Sequence, residues 1–419
     1  MYQALYRKYR SQTFGQLVGQ QVVARTLRQA VEQEKISHAY LFSGPRGTGK
    51  TSVAKIFAKA MNCPNQVNGE PCNDCYICES ITNGSLEDVI EIDAASNNGV
   101  DEIRDIRDKS TYAPSLAKHK VYIIDEVHML STGAFNALLK TLEEPTENVV
   151  FILATTELHK IPATILSRVQ RFEFKSIKLP DIVQHLENIL ATEGIAYEAD
   201  AVQIIARRAE GGMRDALSIL DQALSLTAGS ELTTAIAEEI TGSISLAALD
   251  QYVAAILAHD ATAALDQLAI IFDNGKNMAR FATDLLQYLR DLLIVQTGGE
   301  NTHASDLFAA NLESDQDRLF ALIDQATTSL ADIKNSLQPR IYTEMMTIKL
   351  AESTGQVSNS ATVEVPSSLL AQLEDLKKEV AQLKQQLAQS GSSLPASKPA
   401  VARPTKSSKG YRADRNKVN

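Results

Sequence analysis

The chain has no tryptophan, and its four cysteines all fall between positions 63 and 78. A disulfide framework spreads its cysteines to staple distant segments together. A single cluster in an intracellular chain points instead to a metal site. No apolar run approaches the roughly 20 residues that span a bilayer. The N-terminus lacks the charged, apolar and small-residue succession of an export signal. Excess positive charge is also missing: 41 Lys and Arg stand against 51 Asp and Glu, a formal net charge of −10. The whole molecule is therefore no generic polyanion binder, and any nucleic-acid contact falls to a local basic surface. The 44% hydrophobic content is that of a globular chain, and the length suits roughly two to four domains.

What is present is organised around Gly44-Pro45-Arg46-Gly47-Thr48-Gly49-Lys50-Thr51, which meets the phosphate-loop spacing G-x-x-x-x-G-K-T in full. The glycines let the backbone curl so that successive N–H groups face phosphate oxygens, with the positive end of the next helix behind them. Lys50 is placed to reach the β- and γ-phosphates, and the Thr51 hydroxyl to ligate Mg²⁺. His38–Phe42 reads as the strand before the loop and Ser52–Ala60 as the helix after it.

The cysteines follow as C-x8-C-x2-C-x2-C: Cys63, Cys72, Cys75 and Cys78. Four thiolates with no open position make a structural zinc site. An iron–sulfur cluster is the weaker rival, because no redox-partner signature accompanies the cysteines. The second acidic motif is Lys120–Asp125 followed by Glu126. It reads as a buried parallel strand ending in two carboxylates, where such sheets deliver side chains to a ligand crevice. Asp125 suits Mg²⁺ coordination and Glu126 suits polarising an attacking water. His128 reads as a local packing residue.

Val149–Glu157 reads as another buried strand with a polar end, where Thr155 is placed to bond a γ-phosphate or the water. Arg168 stands just before an expected strand at Phe172–Phe174. It is either a surface ion-pair partner or a finger that stabilises phosphate charge. Arg214, in the first turn of a helix opened by Gly211 and Gly212, opposes the helix dipole and calls for an outside anion. Ser96 and Asn97 precede a charged helix over 100–109, with capping as their expected role and a DNA phosphate as the alternative. The basic, aromatic arm over 2–20 is either an adenine or DNA contact or a solvated helix start. From 180 onward the pattern is helical, and a new helical stretch begins near 242. Leu369, Leu373, Leu376, Val380, Leu383 and Leu387 keep a 4,3 spacing, a short coiled-coil-like helix or a marginal one. The tail carries seven Lys and Arg against one Asp between Lys398 and Lys417.

With Tyr9–Phe14, Gly44–Thr51, the four cysteines, Glu91–Ser96, Asp125–His128, Phe135–Pro145, Leu166–Arg168 and Met213–Leu217, the chain resembles the AAA+ ATPases. Among them it is similar to the gamma/tau family of bacterial clamp-loader subunits, over residues 1 to about 352. The cysteine module discriminates most, since most AAA+ proteins lack it. The resemblance implies an α/β P-loop AAA+ domain at 1–178, a parallel sheet with flanking helices and a zinc module inserted at 61–80. A helical lid at 179–242 and an all-helical collar at 243–352 follow. Beyond them come a linker at 353–368, the coiled-coil-like helix at 369–389 and a disordered basic tail at 390–419.

The resemblance also implies an ATPase that uses ATP, Mg²⁺ and structural Zn²⁺ and loads a sliding clamp onto primed DNA during replication. Thr155 resembles the first sensor, Arg214 the second sensor on its own subunit's nucleotide, and Arg168 the finger reaching a neighbour's site. The implied partners are the other subunits of a hetero-pentameric ring, the sliding clamp and primer–template DNA. A longer form would add the polymerase core and helicase, and no membrane is involved. The implied location is the bacterial cytoplasm, on the nucleoid. The family has Pro after Tyr-Arg where this chain has Ser11, and no polymerase active site is visible, so nucleotidyl transfer belongs to the complex. The alternatives are a nucleotide-binding scaffold, which loss of Lys50, Glu126 or Arg168 would signal, and another DNA-remodelling AAA+ motor.

Overall fold

The computed structural model describes residues 3–227, 231–299 and 305–353. The linker, coiled-coil-like helix and basic tail expected beyond residue 353 lie outside the described residues. Five strands form one parallel sheet: β1 (Ala39–Ser43), β2 (Val89–Asp93), β3 (Lys120–Asp125), β4 (Val149–Thr155) and β5 (Gln170–Glu173). Their spatial order is β2-β3-β4-β1-β5. The three central strands are apolar runs because both faces are covered. Tyr40, Phe42, Val121, Ile123, Val150 and Ile152 pack on one side, and Leu41, Tyr122, Ile124, Phe151 and Leu153 on the other. The edge strands β2 and β5 are more exposed and more polar, as unpaired sheet edges usually are.

A short helix α1 (Leu5–Lys8) opens the chain. On the first face lie α2 (Gln21–Glu32) and the phosphate-loop helix α3 (Lys50–Asn62), with α4 (Tyr76–Asn83) packed on α3. On the second lie α5 (Val100–Ser110), α6 (Thr132–Glu143) and α7 (Ala163–Leu166). Ser131 caps α6 by accepting from the Ala134 N–H. The expected cap on α5 is absent. Gly99 holds that position without a side-chain bond, while Ser96 donates to the Asp93 carboxylate and Asn97 to the Asp93 carbonyl. Asp101 and Glu102 in the first turn meet the helix dipole instead.

Four helices make the next layer: α8 (Leu179–Glu193), α9 (Ala199–Arg208), α10 (Met213–Thr227) and α11 (Thr234–Thr241). Their shared core takes in Leu5 of α1. The arm is therefore no solvated helix start: Lys8 and Tyr9 both reach Glu193 at 2.6 Å. Six more helices bury a separate core: α12 (Leu246–Leu257), α13 (Ala261–Asp273), α14 (Met278–Gln296), α15 (Asp306–Asn311), α16 (Gln316–Asn335) and α17 (Pro339–Glu352). A buried polar network fixes its packing. Asp250 accepts from the Tyr288 hydroxyl and from Ser305, and Asn311 donates to the Tyr288 oxygen. Among the described residues no single helix is long and apolar enough to cross a membrane.

Candidate nucleotide site and metal centre

The sheet register sets Ser43 beside Thr155 and Asp93 beside Asp125, so one edge gathers the ends of β1, β3 and β4. The phosphate loop leaves that edge with φ +145° at Gly44, +75° at Gly47 and +97° at Gly49. A Cβ on Gly44 would stand 2.1 Å from the Phe174 carbonyl oxygen, so only glycine fits there. One on Gly47 would meet the Gly212 Cα at 2.9 Å, because the turn before α10 packs on the loop. The first turn of α3 has no side-chain cap, leaving its N–H groups to the loop's concavity.

Lys50 is 6% exposed, and its ammonium donates to the Gly44 and Pro45 carbonyls at 2.9 and 2.8 Å. Burial lowers its pKa, against the pull of Glu126 and Asp125. Thr51 Oγ1 donates to Asp125 Oδ2 at 2.6 Å, so hydroxyl and carboxylate converge where one Mg²⁺ could take both. Glu126 follows in a left-handed conformation, φ +46°, which turns its side chain off the strand line. Its Oε2 accepts from the Thr156 N–H at 3.3 Å and hydroxyl at 3.0 Å.

His128 differs from its expected packing role. Its Nδ1 stands 3.1 Å from Thr155 Oγ1 and 3.3 Å from Glu126 Oε2, and its Nε2 3.3 Å from Glu157 Oε1. It joins the acidic motif to the end of β4. Thr156 and His128 are the residues that sequence reasoning passed over as site members. The duplicated Thr155-Thr156 at a strand end was the available signal for the first.

The two arginines stand differently. Arg214 is in the first turn of α10; its N–H donates to the Gly47 carbonyl at 3.4 Å, and its guanidinium lies 5.6 Å from the Tyr6 ring centre. Arg168 contacts other elements. It pairs with Glu143 of α6 at 2.7 Å and donates to Thr164 O and Ser167 Oγ at 2.7 and 3.0 Å.

The four cysteines form a second centre. Their Sγ atoms all lie within 4.8 Å of one another. Cys63 is 3.4 Å from Cys72 and 3.9 Å from Cys75, and Cys72 is 4.0 Å from Cys78. Four thiolates about 2.3 Å from a tetrahedral zinc stand about 3.8 Å apart, so the set fits that ion. Burial pushes the Cys72 thiol up to about 11 and raises that of Cys78. A metal ion taken by these thiols would therefore displace protons.

A parallel sheet with a phosphate loop at its carboxyl edge, joined to a helical lid that touches the loop, makes this chain an ATPase of the AAA+ class. Family models place it more closely. "DNA polymerase III, delta subunit" matches residues 19–178, "DNA polymerase III clamp loader subunit, ATPase lid domain" 181–229, and "DNA polymerase III subunits gamma and tau domain III" 232–364. The tau subunit of DNA polymerase III from Bacillus subtilis (strain 168) is 48% identical over 390 residues, 91% of this chain and 69% of that protein. The gamma/tau subunit from Mycobacterium bovis (strain ATCC BAA-935 / AF2122/97) is 37% identical over 86% of this chain and 64% of that protein. The chain belongs to the gamma and tau family of DNA polymerase III clamp-loader subunits. It spans about two thirds of the length of these two relatives. Among solved structures, the Holliday junction branch migration motor RuvB of Thermotoga maritima aligns at 17% identity over 59% of this chain and 79% of that one, with a TM-score of 0.42.

Proposed function

We propose that the chain is the ATP-hydrolysing motor subunit of a replicative clamp loader, opening a sliding clamp and placing it on primer–template DNA. The Thr51–Asp125 contact beside Lys50 and Glu126 carries this reading, because those four side chains are what phosphoryl transfer to water requires. The Lys50 ammonium exchanges its two loop carbonyls for phosphate oxygens when ATP enters. Mg²⁺ held by Thr51 and Asp125 would neutralise charge on the β- and γ-phosphates. Glu126 leaves Thr156 to orient the attacking water, and Thr155 contacts the γ-phosphate. Arg214 leaves the Tyr6 face for the phosphates of its own subunit.

Arg168 acts on a neighbour's nucleotide, and its contacts with Glu143, Thr164 and Ser167 agree with a finger held for export. The ring this needs is a hetero-pentamer closed through the helices over 243–352. On α17, Ile341, Tyr342, Met345 and Ile348 are exposed at helical spacing, an apolar stripe suited to another subunit. The cysteine centre holds zinc in a structural role. The protein works in the cytoplasm at the nucleoid, and a longer form would tether polymerase core and helicase. Steady-state ATP hydrolysis by the chain with its loader partners tests the reading. Strong stimulation that needs both clamp and primed DNA supports it, and hydrolysis indifferent to the clamp overturns it.

A further inference from the structure

A buried ammonium sits near the cysteine centre, and among the described residues no acid pairs with it. Lys59 lies on α3 one turn before Cys63 and is 1% exposed. Its Nζ donates to Gln12 Oε1 at 2.7 Å and to Asn73 Oδ1 at 2.6 Å. Both acceptors are neutral amides, and among the described residues Lys59 forms no ion pair. Taking an ammonium out of water is costly unless an opposite charge faces it. Burial lowers the Lys59 pKa and the nearby Arg10 guanidinium adds to that, while negative charge at Cys78, Cys63 and Cys72 acts in the opposite sense. Those sulfurs are the neighbours able to supply the missing charge. As neutral thiols they supply none. As four thiolates around a divalent cation they carry a net −2, four negative charges against two positive.

We propose that Lys59 is the electrostatic partner of the metal centre: its ammonium offsets part of the tetrathiolate's negative charge and so sets how tightly the divalent cation is held. The inference rests on the zinc reading above. It differs from a plain hydrogen-bonding strut between Gln12 and Asn73, because a strut acts whether or not the metal is bound.

The test uses the full chain, zinc competition against a chromogenic chelator, and melting with and without zinc. Lys59→Met removes the charge at nearly constant length, whereas Gln12→Ala removes one acceptor and keeps the charge. The charge account predicts a loss of zinc affinity of about 10–100-fold in Lys59→Met and within about threefold in Gln12→Ala. It also predicts that zinc raises the Tm of Lys59→Met by less than that of the wild type. The metal-free variant should melt no lower than the metal-free wild type, since an unbalanced buried charge has gone. Wild-type zinc affinity in Lys59→Met, equal losses in the two variants, or a metal-free Lys59→Met that melts well below the wild type each overturn the inference. If Lys59→Met does not fold even with zinc, Lys59→Gln decides. The charge account predicts the same loss of affinity, while retained affinity in that amide variant overturns it. A wild-type chain that takes up no zinc refutes the metal reading itself, an outcome separate from these.

Discussion

The two centres of this molecule are built in opposite ways. The cysteine centre draws all its ligands from one 16-residue stretch, Cys63 to Cys78, and they already stand at zinc spacing. The nucleotide centre draws on three strand ends, the loop and the turn before α10. Its charged groups are parked on protein partners: Lys50 on two carbonyls, Glu126 on Thr156, Arg214 over Tyr6. The cysteine set is complete within its own segment, whereas the nucleotide centre holds its charged groups on protein atoms that an entering ligand can replace.

That contrast can be broken or sharpened by substitution. The largest effect is expected at Glu126→Gln, where loss of the carboxylate should lower kcat about 10²–10⁴-fold while nucleotide affinity stays near normal. Single-turnover hydrolysis beside nucleotide titration checks this. Cys75→Ser should instead abolish stoichiometric zinc and lower Tm markedly, with specific activity per folded molecule little changed. A fully folded zinc-free variant would refute the structural role. His128→Asn should lower kcat about 30-fold, near 2 kcal/mol in the barrier, with KM nearly unchanged. Equal changes in both parameters would reduce His128 to packing.

The smallest effect concerns a loop outside both centres. Asp88 is 2% exposed and accepts from the N–H groups of Ser115, Leu116 and Ala117. Burial opposes its charged form, but those amides prevail and hold the carboxyl below its ordinary range. A folded pKa below the unfolded one means that its stabilisation is full above about pH 4 and is lost as pH falls through the folded value. Asp88→Asn should cost about 1–2 kcal/mol at neutral pH, and the gap should close in acid. Denaturant unfolding at the two pH values measures it.

Much of this was legible in the sequence because the signals were local. The runs that became β1, β3 and β4 are apolar since both sheet faces are covered, and the loop glycines match the positive φ values they adopt. The four cysteines lie too close in sequence to miss. What escaped detection depends on distant elements meeting. No spacing rule sends Leu5 into the core of α8–α11, or pairs Arg168 with Glu143 across 25 residues. Ser96 and Asn97 look like caps, but the Asp93 carbonyl and carboxylate compete for them first. His128 follows the acidic pair by two positions with no periodicity to mark it. Only the alignment of β3 and β4 brings its ring to Thr155.

The central claim is that the nucleotide centre is completed by a neighbouring subunit. The most direct measurement compares Arg168→Ala with the wild type in the assembled loader, with clamp and primed DNA present. ATP affinity and stimulated turnover are read on the same samples. The account predicts affinity near the wild-type value and turnover lower by about 10³-fold or more, the scale of a lost arginine finger. Equal losses of affinity and turnover, or turnover that survives intact, would contradict it.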